Sequence, residues 1–353
     1  MGRLVEAHQR AAAYYAGQLS RLTGGPALHY LRSRGIPQSL ARSRPWRLGY
    51  APPVRTGLTG YLRRLGFADD ELIEAGLTVV TRTGRPVDAF RDRLLFPIRG
   101  PDGRVRAFVG RDLSGQARVP RYRNTATTPI YTKSGYLYGS AEVLSLFGRP
   151  LGGHRGSLAG VILVEGPADA VALSRLPPGP DGRFAAVSTC GTAVTAGQIA
   201  RLAATVPPGT PVIVCFDPDA AGARAADRAY DLLRTWDGPV DAIVLPPGVD
   251  PAALIARSGP RAAARALRDA RTSLLAARVA RRVSGRRLDE IEGRLGALRA
   301  AGALLRHAVP RDAPQLALIA RDLAVRLGFD GVTVFEGIYP AAGDGHEPTS
   351  VNA

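Results

Sequence analysis

The stretch that decides the fold runs from residue 161 to residue 250, where three apolar segments each lead into acidic residues. These segments read VILVEG at 161–166, PVIVCFDPD at 211–219 and AIVLPPGVD at 242–250. Short continuous apolar runs of this kind are typical of buried strands. Because ligands of open α/β sheets bind at the carboxyl edge of the strands, we expect the acids to meet at that edge.

The intervening residues predict helices and one further strand. Helices are expected over 167–176 and 221–235 and a strand over 184–188, while Thr195 and Gln198 form a capping-box pattern that begins another helix. The alternation of strands and helices predicts a largely parallel sheet in an α/β domain. The sequence contains neither the glycine-rich dinucleotide motif nor the P-loop motif, which argues against both of those sites.

Four carboxylates are expected at the carboxyl edge of this sheet, namely Glu165, Asp217, Asp219 and Asp250. Carboxylates clustered without histidine or cysteine favour hard cations such as Mg²⁺ or Mn²⁺. Such metals neutralise phosphates and orient the oxygens of an in-line displacement. Asp219 could instead cap the following helix, and a lone Asp-x-Asp pattern does not decide between the two roles. Asp169 lies four residues after Glu165, within reach of the loop that it could brace.

The composition points to a polyanionic partner. The chain of 353 residues, long enough for two or three domains, has a formal net charge of +17. That surplus favours nucleic acid, although an arginine-rich composition from a GC-rich genome is the alternative. Cys190 and Cys215 are too few for a zinc site and do not indicate a disulfide scaffold. Since neither a membrane span nor a signal peptide is recognisable, we expect a cytoplasmic protein.

The residues before the acidic strands predict a basic lobe. From Arg82 to Lys133 there are twelve basic and four acidic residues. A strand at 91–99 and a return strand at 104–111 are joined by a hairpin turn. Alternation in the return strand places many arginines on one exposed sheet face, which suits a phosphate backbone or, less specifically, solvent. Helical segments are predicted within 6–50 and over 58–65, 68–75 and 140–147.

Lys133 is the only lysine among 47 basic residues, and it ends an irregular polar loop from Pro120. The same loop contains Asn124, one of two asparagines in the chain. Irregular loops of this kind often carry function. Where arginine is so abundant, a retained lysine indicates a place that needs a compact ammonium group, with chance retention as the alternative.

The residues beyond Pro260 predict a small helical bundle. This part of the chain is rich in alanine, leucine and arginine. Helices are expected near 260–271, 273–282, 287–307 and 313–326, and residues 331–353 are expected to be disordered.

Several of these motifs together resemble one family. VEGPADAVAL at 164–173 and FDPDAAG at 216–222 resemble the two signatures of the Toprim domain, which topoisomerases, primases and some nucleases share. RLLFPIR at 93–99 resembles the basic subdomain of bacterial DnaG-type DNA primases, and YRNT at 122–125 through Lys133 resembles that family's asparagine loop and lysine. The resemblance runs in order from about residue 10 to 330. It implies a basic α+β lobe (1–150), a Toprim parallel-sheet domain (157–258) and a helical subdomain (260–330).

The resemblance also implies an activity, which is the synthesis of RNA primers on single-stranded DNA from ribonucleoside triphosphates during DNA replication. By motif match, Glu165, Asp217, Asp219 and Lys133 would be catalytic, and Glu165, Asp217, Asp219 and Asp250 would bind Mg²⁺ or Mn²⁺. The residues expected to contact nucleic acid or nucleotides are Arg93, Arg99, Arg111, Arg121, Arg123, Asn124 and Lys133.

Three departures from the family pattern qualify this expectation. Neither the zinc ribbon nor the helicase-binding domain of such primases is recognisable, so we expect no zinc and a separate zinc-bearing or helicase partner. The third acidic motif, usually Asp-Pro-Asp, reads Asp250-Pro251-Ala252 here. These features favour a primase of a mobile element. The alternatives are a weak or inactive accessory protein that binds single-stranded DNA and a phosphodiester-cleaving Toprim enzyme.

Overall fold

The computed structural model describes residues 1–147, 158–180, 182–191 and 193–339. These residues divide into two compact units, with the boundary between Arg271 and Thr272. Within the described residues, the structure contains no helix that is both long and apolar enough to cross a membrane.

A four-stranded antiparallel sheet is the centre of the N-terminal lobe in the first unit, and its strands lie in the order Gly49–Ala51, Arg93–Arg99, Val105–Asp112 and Tyr122–Asn124. The strands of the lobe are β1 (Gly49–Ala51), β2 (Thr78–Val80), β3 (Pro86–Asp88), β4 (Arg93–Arg99), β5 (Val105–Asp112) and β6 (Tyr122–Asn124). Its helices are α1 (Gly2–Ser20), α2 (Pro26–Ser33), α3 (Gln38–Arg42), α4 (Gly57–Arg64), α5 (Asp69–Glu74) and α6 (Ser140–Phe147).

Both faces of the β4–β5 hairpin are buried. Leu95 and Phe108 pack in one apolar cluster with Tyr15 of α1. Leu94 and Val109 belong to a second cluster, which also includes residues of the parallel sheet. The prediction of an exposed basic face on this hairpin is therefore wrong. Helices cover one side and the parallel-sheet domain the other, so the arginines lie at strand ends and in loops.

The second cluster continues into a parallel sheet, which confirms the predicted α/β fold. Its strands lie in the order Val240–Ile243, Val212–Cys215, Leu158–Val164 and Arg183–Ser188. Its strands are β7 (Leu158–Val164), β8 (Arg183–Ser188), β9 (Val212–Cys215) and β10 (Val240–Ile243). The accompanying helices are α7 (Pro167–Leu173), α8 (Ala196–Ala203), α9 (Ala220–Leu232) and α10 (Pro251–Asp269). A short strand, β11 (Arg271–Ser273), begins where this unit ends. Thr195 and Gln198 form the predicted capping box.

The second unit is helical, as predicted, with α11 (Leu274–Ser284), α12 (Ile291–Leu305), α13 (Ala313–Leu327) and α14 (Gly331–Ile338). The helix α14 differs from the prediction of disorder over 331–353. Asp330 caps it by accepting a hydrogen bond from the Thr333 N–H at 2.8 Å, and Val334 and Ile338 are buried. Residues 340–353 lie outside the described part of the chain.

A buried ion pair in the lobe predicts a pH dependence of stability. The Arg99 Nε lies 3.2 Å from the Glu142 Oε1. Burial raises the pKa of Glu142 from 4.5 to about 7, despite the opposing charge of Arg99. The folded protein therefore binds a proton that the unfolded chain releases between these two pKa values, and this contribution to stability is lost as the pH rises through 7.

We expect the free energy of unfolding to be about 2 kcal/mol higher near pH 5.5 than near pH 8 on account of this group. Urea unfolding at the two pH values measures the difference. In Glu142→Gln, which cannot titrate, that part of the pH dependence should vanish. An unchanged pH dependence in the variant would show that Glu142 does not carry it.

Candidate functional site

Two of the predicted acids meet at the carboxyl edge of the parallel sheet. β7 and β9 are neighbours, with Val164 opposite Cys215, so that Glu165 and Asp217 follow the two strands at one edge. The Asp217 N–H donates a hydrogen bond to the Glu165 Oε1 at 3.2 Å. Since β8 lies on one side of β7 and β9 on the other, the chain reverses its direction of winding at this point. Ligands of open α/β sheets bind at such a reversal.

The charges at this edge repel one another. Burial raises the pKa of Glu165, and the charges of Asp217 and Asp219 raise it further. Burial also raises the pKa of Asp217, and Asp250 and Asp219 add to the shift, whereas Arg121 opposes it. A bound divalent cation would relieve this repulsion. The donor set is thus suited to a hard metal ion.

Asp219 has the capping role that was the alternative to metal binding. Its Oδ1 accepts hydrogen bonds from the N–H groups of Ala221 and Gly222, each at 2.8 Å, at the start of α9. Its Oδ2 makes no hydrogen bond to the part of the chain that the structure describes. A Cβ at Gly222 would overlap the carbonyl oxygen of Asp217, so this tight turn requires glycine. One oxygen of Asp219 therefore remains available to a ligand.

Asp250 is placed differently from the prediction. Its Oδ1 accepts a hydrogen bond from the Ala253 N–H at 2.7 Å at the start of α10, and its Oδ2 is paired with Arg34 of the lobe. Both oxygens are therefore engaged within the protein. This arrangement does not support the assignment of Asp250 as a metal ligand, because the Ala253 N–H and the Arg34 guanidinium already bind the two oxygens that a cation would need.

Asp169 holds the third acidic motif through a hydrogen bond to its backbone. Its Oδ1 accepts a hydrogen bond from the N–H of Ala252 at 3.1 Å. Burial, followed by repulsion from Asp250, raises the pKa of Asp169 to about 7. A Cβ at Gly166 would lie 2.5 Å from the Asp169 Oδ2, so the glycine of the first motif makes room for this carboxylate. Asp169 thus links the first acidic motif to the third, which agrees with the bracing role that its spacing from Glu165 suggested.

The protein offers a partial coordination shell for a metal. Among the described residues, no three histidine, cysteine, aspartate or glutamate side chains are grouped so that they alone could hold a metal ion. Mg²⁺ commonly retains water and binds through one or two carboxylates together with substrate phosphates. Glu165 and Asp217 fit that mode, and Asp219 adds negative charge nearby. They do not fit an all-protein cage.

Two predicted phosphate contacts are structural arginines. Arg93 is only 4% exposed, and its guanidinium donates hydrogen bonds to the carbonyl oxygens of Gly110 and Pro120, each at 3.0 Å. Arg99 is paired with Glu142. Both guanidiniums are used to hold the lobe together, so this arrangement does not support the expectation that these two side chains contact phosphates.

Arg111 and Arg121 line a cleft of about 600 Å³. The Arg111 guanidinium lies over two rings, 5.2 Å from the centroid of Tyr30 and 5.4 Å from that of Tyr122. Its Nε and Nη1 are buried and have no hydrogen-bond partner in the described structure. Arg121 is exposed and close enough to lower the pKa of Asp217. This cleft brings positive charge near the acidic edge.

Arg123 lines a second cleft of about 590 Å³ in the lobe. Three further exposed arginines, Arg55, Arg91 and Arg118, surround the same space. The sequence did not single these three out. Their positions along the chain follow no common period, and only the folding of the lobe brings them together. For Arg91 and Arg118 the sequence signal was the excess of basic residues between Arg82 and Lys133, and Arg55 lies outside that stretch.

Asn124 and Lys133 both approach the turn that follows β8. The Asn124 Nδ2 donates a hydrogen bond to the Cys190 carbonyl oxygen at 3.5 Å. Lys133 is partly buried, which lowers the pKa of its ammonium, and the nearby Cys190 opposes that shift. Within the described residues, Lys133 forms no ion pair with a carboxylate. Because β8 is parallel to β7, this turn lies at the same sheet edge as Glu165.

Comparison with known proteins agrees with this geometry. Residues 14–144 match the model of the DNA primase catalytic core, N-terminal domain, and residues 162–255 match a Toprim-like model. The chain is 36% identical to the DNA primase of Streptomyces coelicolor over 301 residues, which is 84% of this chain and 44% of that primase. The chain therefore spans less than half of the length of that relative.

Solved structures show the same similarity over nearly the whole chain. The RNA polymerase domain of Mycobacterium tuberculosis DnaG, solved in complex with double-stranded DNA, is 32% identical with a TM-score of 0.72, and the match covers 94% of this chain and 99% of that domain. A DnaG primase catalytic domain bound to single-stranded DNA is 27% identical with a TM-score of 0.69, covering 94% and 98%.

The fold and the acidic edge define a Toprim-containing catalytic core. More narrowly, the chain belongs to the family of DnaG-type DNA primase catalytic cores. Toprim domains of primases typically bind a divalent metal.

Proposed function

We propose that this chain is a DNA primase core that joins ribonucleotides into short RNA primers on single-stranded DNA, with Mg²⁺ or Mn²⁺. The observation that carries the proposal is the meeting of Glu165 and Asp217 at the sheet edge, with the cleft lined by Arg111 and Arg121 beside them. Carboxylates alone would equally suit cleavage. The adjoining positive charge suits the binding of both a template strand and a nucleoside triphosphate.

The metal would be held by Glu165 and Asp217 together with substrate phosphates, and the free oxygen of Asp219 would add negative charge beside it. When bound, it would neutralise phosphate charge and orient the oxygens of an in-line displacement. Asp169 and Asp250 hold the third motif and its helix in place. Arg111 and Arg121 would bind the triphosphate, since one guanidinium can donate two parallel hydrogen bonds to the oxygens of a phosphate.

The template strand is assigned to the cleft of Arg55, Arg91, Arg118 and Arg123. These guanidiniums would contact the phosphodiester backbone without reading its sequence. The similar catalytic domain that was solved with single-stranded DNA supports such a strand as a ligand of this chain. We also propose that the core works in the cytoplasm with a replicative helicase or a separate zinc-bearing protein.

Incubation with single-stranded DNA, labelled ribonucleotides and Mn²⁺ tests the proposed function. Labelled oligomers longer than the substrate nucleotides are expected. Shortened DNA would instead indicate phosphodiester cleavage, and binding without any product would indicate an inactive accessory protein, for which Ala252 in the third motif is the supporting feature.

Lys133→Arg retains the charge and is expected to reduce synthesis by roughly tenfold, because a planar guanidinium does not replace a compact ammonium in a partly buried position. Initial rates of ribonucleotide incorporation measure the effect. Arg32→Lys, an exposed change outside these clefts, is the matched control and should have no effect. Full activity in Lys133→Arg would remove the special role of the lysine.

A further inference from the structure

A third basic cleft, of about 530 Å³, lies at the end of β4 that carries Arg99. The cleft assigned to the template lies at the opposite end of this strand, which carries Arg93. The walls of the third cleft come from α1, the turn at residues 44–47, the β4–β5 hairpin and the start of α6. Six residue steps along β4 separate Arg93 from Arg99, which corresponds to about 20 Å. This third cleft is therefore separate from the spaces assigned to the template and the triphosphate.

The charge in the third cleft is strongly unbalanced. Arg44, Arg47 and Arg104 are exposed at its walls, and none of them forms an ion pair with a carboxylate of the described residues. The two carboxylates at the walls are already engaged. Asp102 is 2.7 Å from the Arg106 Nη2, and Glu142 is paired with Arg99. Three guanidinium groups therefore line this cleft, and no carboxylate of the described residues balances their charge.

The turn that carries two of these arginines is held firmly. Trp46, between them, is 5% exposed and stacks on Tyr138 with ring centroids 5.5 Å apart. Its Nε1–H donates a hydrogen bond to the Ser174 Oγ at 3.2 Å. Arg47 has a φ of 44°, a left-handed conformation that is unfavourable for a residue with a side chain. Strained backbone of this kind is concentrated at active sites, ligand-binding segments and switch regions.

We propose that this third cleft is a binding site for a compact polyphosphate, that is, for adjacent phosphate groups such as those of inorganic tripolyphosphate or a nucleoside triphosphate. Guanidinium groups on two walls of one cleft suit neighbouring phosphates in charge and in hydrogen-bond donors. Alanines contribute much of the apolar lining, and aromatic rings are absent from it. Since single strands bind largely by stacking their bases on aromatic side chains, the lining favours a small polyanion over a strand.

The test is isothermal titration of the full chain with inorganic tripolyphosphate, without metal, at about 0.15 M salt to screen weak surface binding. The double variant Arg44→Ala/Arg47→Ala is expected to bind roughly tenfold more weakly or worse, since charge-assisted hydrogen bonds are lost. Arg42→Ala removes an equal charge from a nearby exposed residue outside the cleft, and it should bind like the wild type. Thermal melting confirms that each variant is folded.

Three results would overturn the proposal: no binding by the wild type, equal weakening in Arg42→Ala, or a double variant that loses affinity for a thymidine oligonucleotide as much as for tripolyphosphate. The last result would assign this space to the nucleic-acid strand. Failure here is separable from failure of the proposed function. Glu165→Gln should keep this binding while losing synthesis, and the double variant should keep synthesis.

Discussion

Glu165→Gln is expected to reduce metal-dependent RNA synthesis by roughly 100- to 1000-fold. The substitution keeps the shape of the side chain and its ability to accept the hydrogen bond from the Asp217 N–H. It removes one of the charges that would hold the metal, and charge stabilisation by a metal contributes several kcal/mol to a phosphoryl-transfer step. The rate of primer formation over a Mn²⁺ titration measures the loss.

Asp219 provides the matched controls for this prediction. Asp219→Asn keeps the cap of α9, because asparagine is as good an N-cap as aspartate, but it removes the charge. Asp219→Ala removes both. We expect the two variants to lose activity alike while only Asp219→Ala melts at a lower temperature. Activity retained in Asp219→Asn would assign this residue to the helix cap alone, and activity retained in Glu165→Gln would contradict the metal site.

Arg34→Met is expected to lower the free energy of unfolding by about 3 kcal/mol, because it leaves a partly buried aspartate without its cation. The side chains of Arg34 and Asp250 are 17% and 24% exposed. Loss of the guanidinium would expose Asp250 to the uncompensated charge of Asp169 nearby. Urea unfolding at neutral pH measures the change in stability.

A double-mutant cycle separates the ion pair from packing. Asp250→Asn keeps the helix cap and removes the charge, so it should restore part of the stability of Arg34→Met. A coupling free energy near zero would show that Arg34 contributes by packing alone. That outcome would also return Asp250 to the set of available metal ligands.

The parallel sheet and the meeting of Glu165 with Asp217 were predictable because they depend on local patterns. Apolar runs define the strands, and parallel strands present all their carboxyl ends at one edge. The cap formed by Asp219 was likewise one of two roles that its position before a helix allows. Local spacing was enough in each case.

The partners of the charged side chains were not predictable in this way. Arg34 and Asp250 are 216 residues apart, and an arginine at the end of a helix carries no sign of its distant partner. Arg93 and Arg99 were assigned to phosphates by their match to a motif of the family, and a motif match does not show which side chains the folded lobe buries or pairs. The burial of both sheet faces depends on packing between the lobe and the Toprim domain, which is a tertiary property.

The most direct test of the central claim, template-directed synthesis of RNA, is to exchange the template base. With Mn²⁺ and a template of thymidine only, the wild-type chain should incorporate ATP and not GTP. With a template of deoxycytidine only, it should incorporate GTP and not ATP. Incorporation that ignores the template, or shortening of the template in place of synthesis, would contradict the account.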